Sequence, residues 1–146
     1  MSRLQASVLI KKSAEEIFAF FSIPGNHARF IPGMREFRQT SPGPLGQVGA
    51  TARGVRRDFG LSTEVLYEIT QYEPTGKLGM KGVMGPITFE DGYVLEPLGN
   101  STQVHFWLEF KLVGPMLLAR PLIQFLGKTH AGETLANLKK VLETEK

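Results

Sequence analysis

Asp91 is the side chain of this 146-residue sequence with the widest chemical reach. It lies in the stretch Ile87-Thr88-Phe89-Glu90-Asp91-Gly92-Tyr93-Val94-Leu95, where Ile87, Phe89, Tyr93 and Leu95 recur with period two. That period places Asp91 on their apolar face of a strand. A carboxylate enclosed there without a partner takes up a proton or recruits a donor. Such a group suits a general acid or base, or an anchor for a ligand hydroxyl. A second placement stays open, in which Asp91-Gly92 forms a bulge that turns the carboxylate to solvent. Tyr67 and Tyr93 add phenols to an apolar wall, where each holds a bound carbonyl or is satisfied by the backbone of a core.

Other chemistries find little support. The chain has no cysteine, so disulfides, zinc thiolates and cysteine nucleophiles are excluded. Its histidines, His27, His105 and His130, are far apart and lack metal-ligand spacing. All three are expected at surface positions, with His130 within reach of a cavity mouth. No nucleophile elbow, phosphate loop or dinucleotide fingerprint occurs. No metal and no cofactor is expected. Net charge is +3 with a pI near 9.3, short of a nucleic-acid signature. The tight basic cluster of Arg53, Arg56 and Arg57 fits a solvated strand end or a contact to an anionic ligand. With no signal-peptide pattern at the N-terminus and no membrane-length apolar run, the expected compartment is the cytoplasm.

The elements that must position these residues are legible in the pattern. Gln5 to Ile10 has strand character. Ser13 and Glu16 form a capping box that opens a helix carrying Ile17, Phe18, Phe20 and Phe21, closed by Pro24-Gly25. A second short helix spans about Asn26 to Phe30. From Met34 to Leu112, alternation broken by turn residues near positions 41–44, 58–60, 73–76, 85–86 and 97–101 predicts about six antiparallel strands. In two of them the inner face is clear: Thr63, Val65, Tyr67 and Ile69, and then Val104, Phe106, Leu108, Phe110 and Leu112. Leu78, Met80, Gly82 and Met84 share another face, and residues 46–49 read as a hairpin loop at a cavity rim. After Gly114-Pro115 comes a loose turn to Arg120 and a long helix beginning at Pro121.

That helix carries Gly127 and Gly132, each costing roughly 1 kcal/mol relative to alanine. Ala131, Leu135, Leu138 and Leu142 form one stripe that looks like core. Phe125, Thr129, Gly132 and Ala136 form a second, mostly small stripe, expected to roof a cavity. On that basis Gly132→Leu leaves the fold intact and abolishes uptake of apolar ligands. The apolar connector from Pro115 to Ile123 is a lid, a transient membrane contact or a buried turn.

The order strand, two short helices, six strands and long helix is that of the helix-grip fold. The opening residues 8–21, Asn26 to Pro32 with Phe30 in the second helix, Tyr93-Val94-Leu95-Glu96-Pro97 with Thr102-Gln103-Val104, and residues 135–143 resemble the START-related, Bet v 1-like superfamily. They are closest to its polyketide cyclase/dehydrase and lipid-transport branch. The resemblance implies one α+β domain over residues 1–146, a curved sheet of about seven strands around a C-terminal helix, with a cavity between them. The ligand is expected to be small and hydrophobic: a lipid, an isoprenoid or quinone, or an aromatic polyketide-like molecule. Its expected contacts are Phe30, Tyr67, Phe89, Tyr93, Phe106, Phe125, Thr129 and Gly132. Three roles stay open: a carrier without chemistry, a metal-free cyclase or dehydratase using Asp91 with the tyrosines, and a protein-interaction module.

Overall fold

The computed structural model describes residues 3–43 and 46–144; Met1, Ser2 and Pro44 of the segments considered above lie outside them. Seven strands form one antiparallel sheet: β1 (Leu4–Ile10), β2 (Met34–Gln39), β3 (Thr51–Asp58), β4 (Leu61–Glu73), β5 (Lys77–Met84), β6 (Ile87–Leu98) and β7 (Ser101–Lys111). Their spatial order is β1-β7-β6-β5-β4-β3-β2. The first strand therefore joins the last, while β2 to β7 follow as a meander of hairpins. Among the described residues the α-helices are α1 (Ala14–Phe21), α2 (His27–Phe30) and α3 (Arg120–Thr144). This is the helix-grip arrangement, a curved antiparallel sheet with a long C-terminal helix.

Local signals account for the element ends. The Ser13 Oγ accepts from the Glu16 amide at 3.2 Å, and the Glu16 carboxylate accepts in turn from the Ser13 amide. Two orphan donors of α1 are thereby satisfied. Burial of Ile17, Phe18, Phe20 and Phe21 pins that helix to the core. A 3-10 turn over Gly114–Ala119 precedes α3, so Pro121 falls in the first turn, where its missing amide matters least.

In the sheet, the alternation read from the sequence holds. Val65, Tyr67 and Ile69 of β4, and Val104, Phe106 and Leu108 of β7, are buried. Their neighbours along each strand are more exposed. Register shifts occur between Met34 and Glu36 and between Ile69 and Gln71. The ladders through β6 run without a shift at Asp91 and Gly92.

The helix α3 lies along β1 with the face Gly127, Ala131, Thr134, Leu135, Leu138 and Leu142 buried. Lys139 Nζ donates to the Leu9 carbonyl at 2.6 Å, and Glu143 accepts from the Lys11 amide at 2.9 Å. Asn137 donates to the Phe30 carbonyl, which ties the short α2 to the long helix. Among the described residues no helix is long and apolar enough to cross a membrane.

Candidate functional site

With the β6 ladder unshifted, period two carries Asp91 inward between Phe89 and Tyr93. Asp91 pairs laterally with Met80 of β5 and Leu108 of β7. It is 9% exposed, and its Oδ1 is buried without a hydrogen-bond partner. The outward bulge is thus overturned. Burial pushes the Asp91 carboxyl up to about 7, and the Arg56 guanidinium pulls weakly in the opposite direction. Desolvation is the larger influence because no donor stands beside the carboxyl to favour its charge. The same burial raises the Tyr67 and Tyr93 phenols, and the Asp91 charge raises them further.

Around Asp91 the interior is aromatic. Tyr93 lies 4.7 Å from Phe21, 5.0 Å from Phe106 and 6.2 Å from Phe30, measured between ring centroids. Tyr67 stands edge-on to Phe89 at 6.0 Å and tilts against Phe37 at 5.2 Å. Five of the expected contacts, Phe30, Tyr67, Phe89, Tyr93 and Phe106, therefore gather in one cluster. Glycines make the room. A Cβ on Gly82 would fall 2.2 Å from the Phe89 ring, and one on Gly54 would meet Met34 and Tyr67. The space-making glycines sit in the sheet, and the sequence pattern shows Gly82 only as a member of a strand face.

The second stripe of α3 does not join them. Phe125 is 67% exposed, and Thr129 and Gly132 are exposed as well. Nothing lies within 4 Å of where a Gly132 Cβ would stand. These three occupy the face of α3 turned away from the sheet. The cause is the angular position of the buried stripe: Ala131, Leu135, Leu138 and Leu142 face the core, and residues 125, 129, 132 and 136 fall about 120° further round the helix at 100° per residue. The expected effect of Gly132→Leu on uptake loses its basis.

Two histidines also need correction. His27 was expected at the surface and is buried. Its Nε2 donates to the Phe21 carbonyl at 2.8 Å, its ring stacks on Phe37 at 4.7 Å, and its Nδ1 has no partner. Burial lowers its pKa to about 4. A helix of four residues is too short for periodicity to show which way its side chains point. His27 also borders a small void of about 10 Å³ with Phe21, Ile69, Tyr72 and Met80. That is about one water's space, against the roughly 300 Å³ at which ligand pockets begin.

His130 is half-buried rather than solvated, and burial lowers its pKa to about 4, with Arg56 adding to that effect and Asp58 opposing it. Arg56 and Asp58 lie on the inward side of β3 and form a two-point ion pair at 3.1 and 3.2 Å. In the sequence Arg56 clusters with Arg53 and Arg57. Alternation separates them: Arg53 pairs with Glu64 on the outer face, Arg57 is exposed, and Arg56 turns in. His105 stays at the surface, bonded to Ser7 and Glu96. Among the described residues no group of three His, Asp or Glu side chains is arranged to hold a metal ion.

His27 carries a pH signature. Its folded pKa lies below the unfolded one near 6.5, so the unfolded chain binds the extra proton between about pH 4 and 6.5. Stability then falls as pH drops through that window, by roughly 3 kcal/mol. His27→Phe keeps the stacking and is expected to remove about that much of the decline in a series of urea unfolding curves. An unchanged slope would contradict a neutral buried His27.

No curated protein matches the chain by sequence. Solved structures do. A protein from Thermus thermophilus, TTHA0849, superposes with a TM-score of 0.80 at 17% identity, over 99% of this chain and 100% of the other. Zhui aromatase/cyclase from Streptomyces sp. R1128 gives 0.81 at 11% identity, over 97% and 93%. A START superfamily protein from Mycobacterium smegmatis gives 0.70 at 21% identity, over 97% and 94%. These likenesses establish the shared fold. The family described as polyketide cyclase / dehydrase and lipid transport matches residues 1–143, and the chain, with its helix-grip architecture, belongs to that family.

Proposed function

We propose that the protein binds a small, mostly apolar molecule bearing one hydroxyl or carbonyl, held between the sheet and α3 with its polar group on Asp91. The supporting observation is the unpartnered Asp91 Oδ1 inside an aromatic interior. A buried polar atom left without a partner costs on the order of 1–3 kcal/mol, and a ligand donor at that position recovers it. Family membership supports the same class of ligand. Ring contacts crowd the space around Asp91, which sets a condition: the ligand enters by displacing rings of the cluster.

Titration with 2-naphthol and with naphthalene, which differ by one hydroxyl, tests this reading. The wild-type protein is expected to prefer 2-naphthol by about tenfold, the worth of one buried hydrogen bond. Asp91→Leu is expected to lose that preference while still taking up naphthalene. Equal affinities in the wild type would refute the anchor, and failure to bind either compound would refute the pocket.

A second reading is a metal-free cyclase or dehydratase in which Asp91 transfers protons, favoured by a carboxyl pushed up to about 7 beside Tyr67. Such a group is partly protonated near neutrality, as proton transfer in both directions requires. Incubation with a poly-β-carbonyl thioester is expected to give a cyclised, dehydrated product whose formation stops in Asp91→Asn. Unchanged substrate with the wild-type protein would count against this role.

A further inference from the structure

The end of the sheet where β7 runs into α3 exposes an unusual amount of apolar surface. Val113, Leu117, Leu118, Leu122, Phe125 and Leu126 are all exposed, Leu118 at 89%. A globular surface normally scatters single apolar residues, whereas a contiguous set marks a contact site. The β3–β4 turn adds a second observation from another part of the chain. Antiparallel pairing of β3 with β4, of β4 with β5, of β5 with β6 and of β6 with β7 puts that turn at the same end of the sheet as the end of β7. In it Phe59 takes a φ of +54° ahead of Gly60 at +80°. A two-residue turn of this type favours Asn-Gly, and a bulky aromatic there is costly. Yet Phe59 is 90% exposed and packs little of its ring. Leu61 beside it is also exposed.

Charge indicates what covers this surface. From Phe110 to Gly132 the chain has no acidic residue, while Arg120 and Lys128 are exposed within the same stretch; Lys111, at its start, is paired with Glu90. An apolar segment with flanking cations and no anions matches an interface in which hydrocarbon lies beneath negative headgroups. We propose that the 3-10 turn over Gly114–Ala119 and the first two turns of α3, with Phe59 alongside, seat on an anionic lipid surface. Docking of this kind goes beyond the ligand reading, since it needs no occupied interior.

Sedimentation with vesicles tests it. The full chain is mixed at physiological salt with vesicles of phosphatidylcholine alone and of phosphatidylcholine with phosphatidylglycerol. The wild type is expected to pellet with the anionic vesicles and to be released by high salt. Leu118→Asp/Leu122→Asp and, separately, Arg120→Glu/Lys128→Glu are each expected to lower partitioning about tenfold or more. Binding of 2-naphthol should be unchanged in both, which separates failure here from failure of the Asp91 site. The proposal is overturned if the wild type stays in the supernatant with both vesicle types, or if the charge-reversed variant pellets as well as the wild type. It is equally overturned if light scattering shows a dimer that Leu118→Asp/Leu122→Asp converts to monomer, because a second copy then covers the surface.

Discussion

At about pH 8, Asp91→Asn is expected to stabilise the fold by roughly 2–3 kcal/mol, and near pH 4 to destabilise it by about 1–2 kcal/mol. The folded Asp91 carboxyl is pushed up to about 7 from an ordinary value of 3.8. Between those values the folded chain holds a proton that the unfolded chain releases. Stability therefore declines as pH rises from about 4 to about 7 and stays lower above it. Each pKa unit corresponds to about 1.4 kcal/mol, so the full penalty is about 4 kcal/mol. The asparagine amide brings its own desolvation cost of about 1–2 kcal/mol, which offsets part of the gain. Urea unfolding of both proteins at the two pH values measures the difference. An equal shift at both would mean that Asp91 is hydrated. A residue whose removal stabilises a protein above neutral pH is one retained for something other than folding, which links this measurement to the ligand titration.

Gly127→Leu is expected to destabilise by about 3 kcal/mol, whereas Gly132→Ala, further along the same helix, is expected to stabilise by about 1 kcal/mol. A Cβ on Gly127 would fall 2.7 Å from both Leu4 Cδ1 and the Phe110 ring, where β1 and β7 press closest to α3. Overpacking of this kind costs on the order of 1–3 kcal/mol, and a leucine reaches further than its Cβ. Gly132 has open space in place of neighbours, so alanine there simply recovers helix propensity. Thermal unfolding of the two variants decides the matter. Opposite signs confirm which glycine is the packing residue, and equal destabilisation would return Gly132 to an interior face.

These positions also show where sequence pattern is reliable. A strand offers two faces, so the apolar phase of Phe89, Tyr93 and Leu95 places Asp91 once a bulge is ruled out. The bulges that do occur fall on Thr70 and Arg35. A helix offers a continuous choice of face, and small residues look alike whether they border a cavity or water. The stripe of Phe125, Thr129 and Gly132 was misplaced for that reason. Its lone aromatic, Phe125, is an exposed apolar residue of the docking surface. His27 failed differently, because α2 is a single turn and its burial depends on Phe21 and Phe37 from two other elements.

From residue types and spacing alone came the capped first helix, the run of strands with the inner faces of two of them, and the long terminal helix. All of these rest on interactions between residues near in sequence, or on a period that a buried face imposes. What only the tertiary structure decided depends on which elements meet. Arg56 and Asp58 on β3 come within electrostatic range of His130 on α3 because the meander brings the mouth of the sheet against the long helix. Gly54 and Gly82 make room for rings contributed by other strands. The interior is closed by aromatic contacts among α1, α2 and the sheet. Distances across a fold are set by how volumes fill and which faces are desolvated, and neither quantity is written in the spacing of one chain segment.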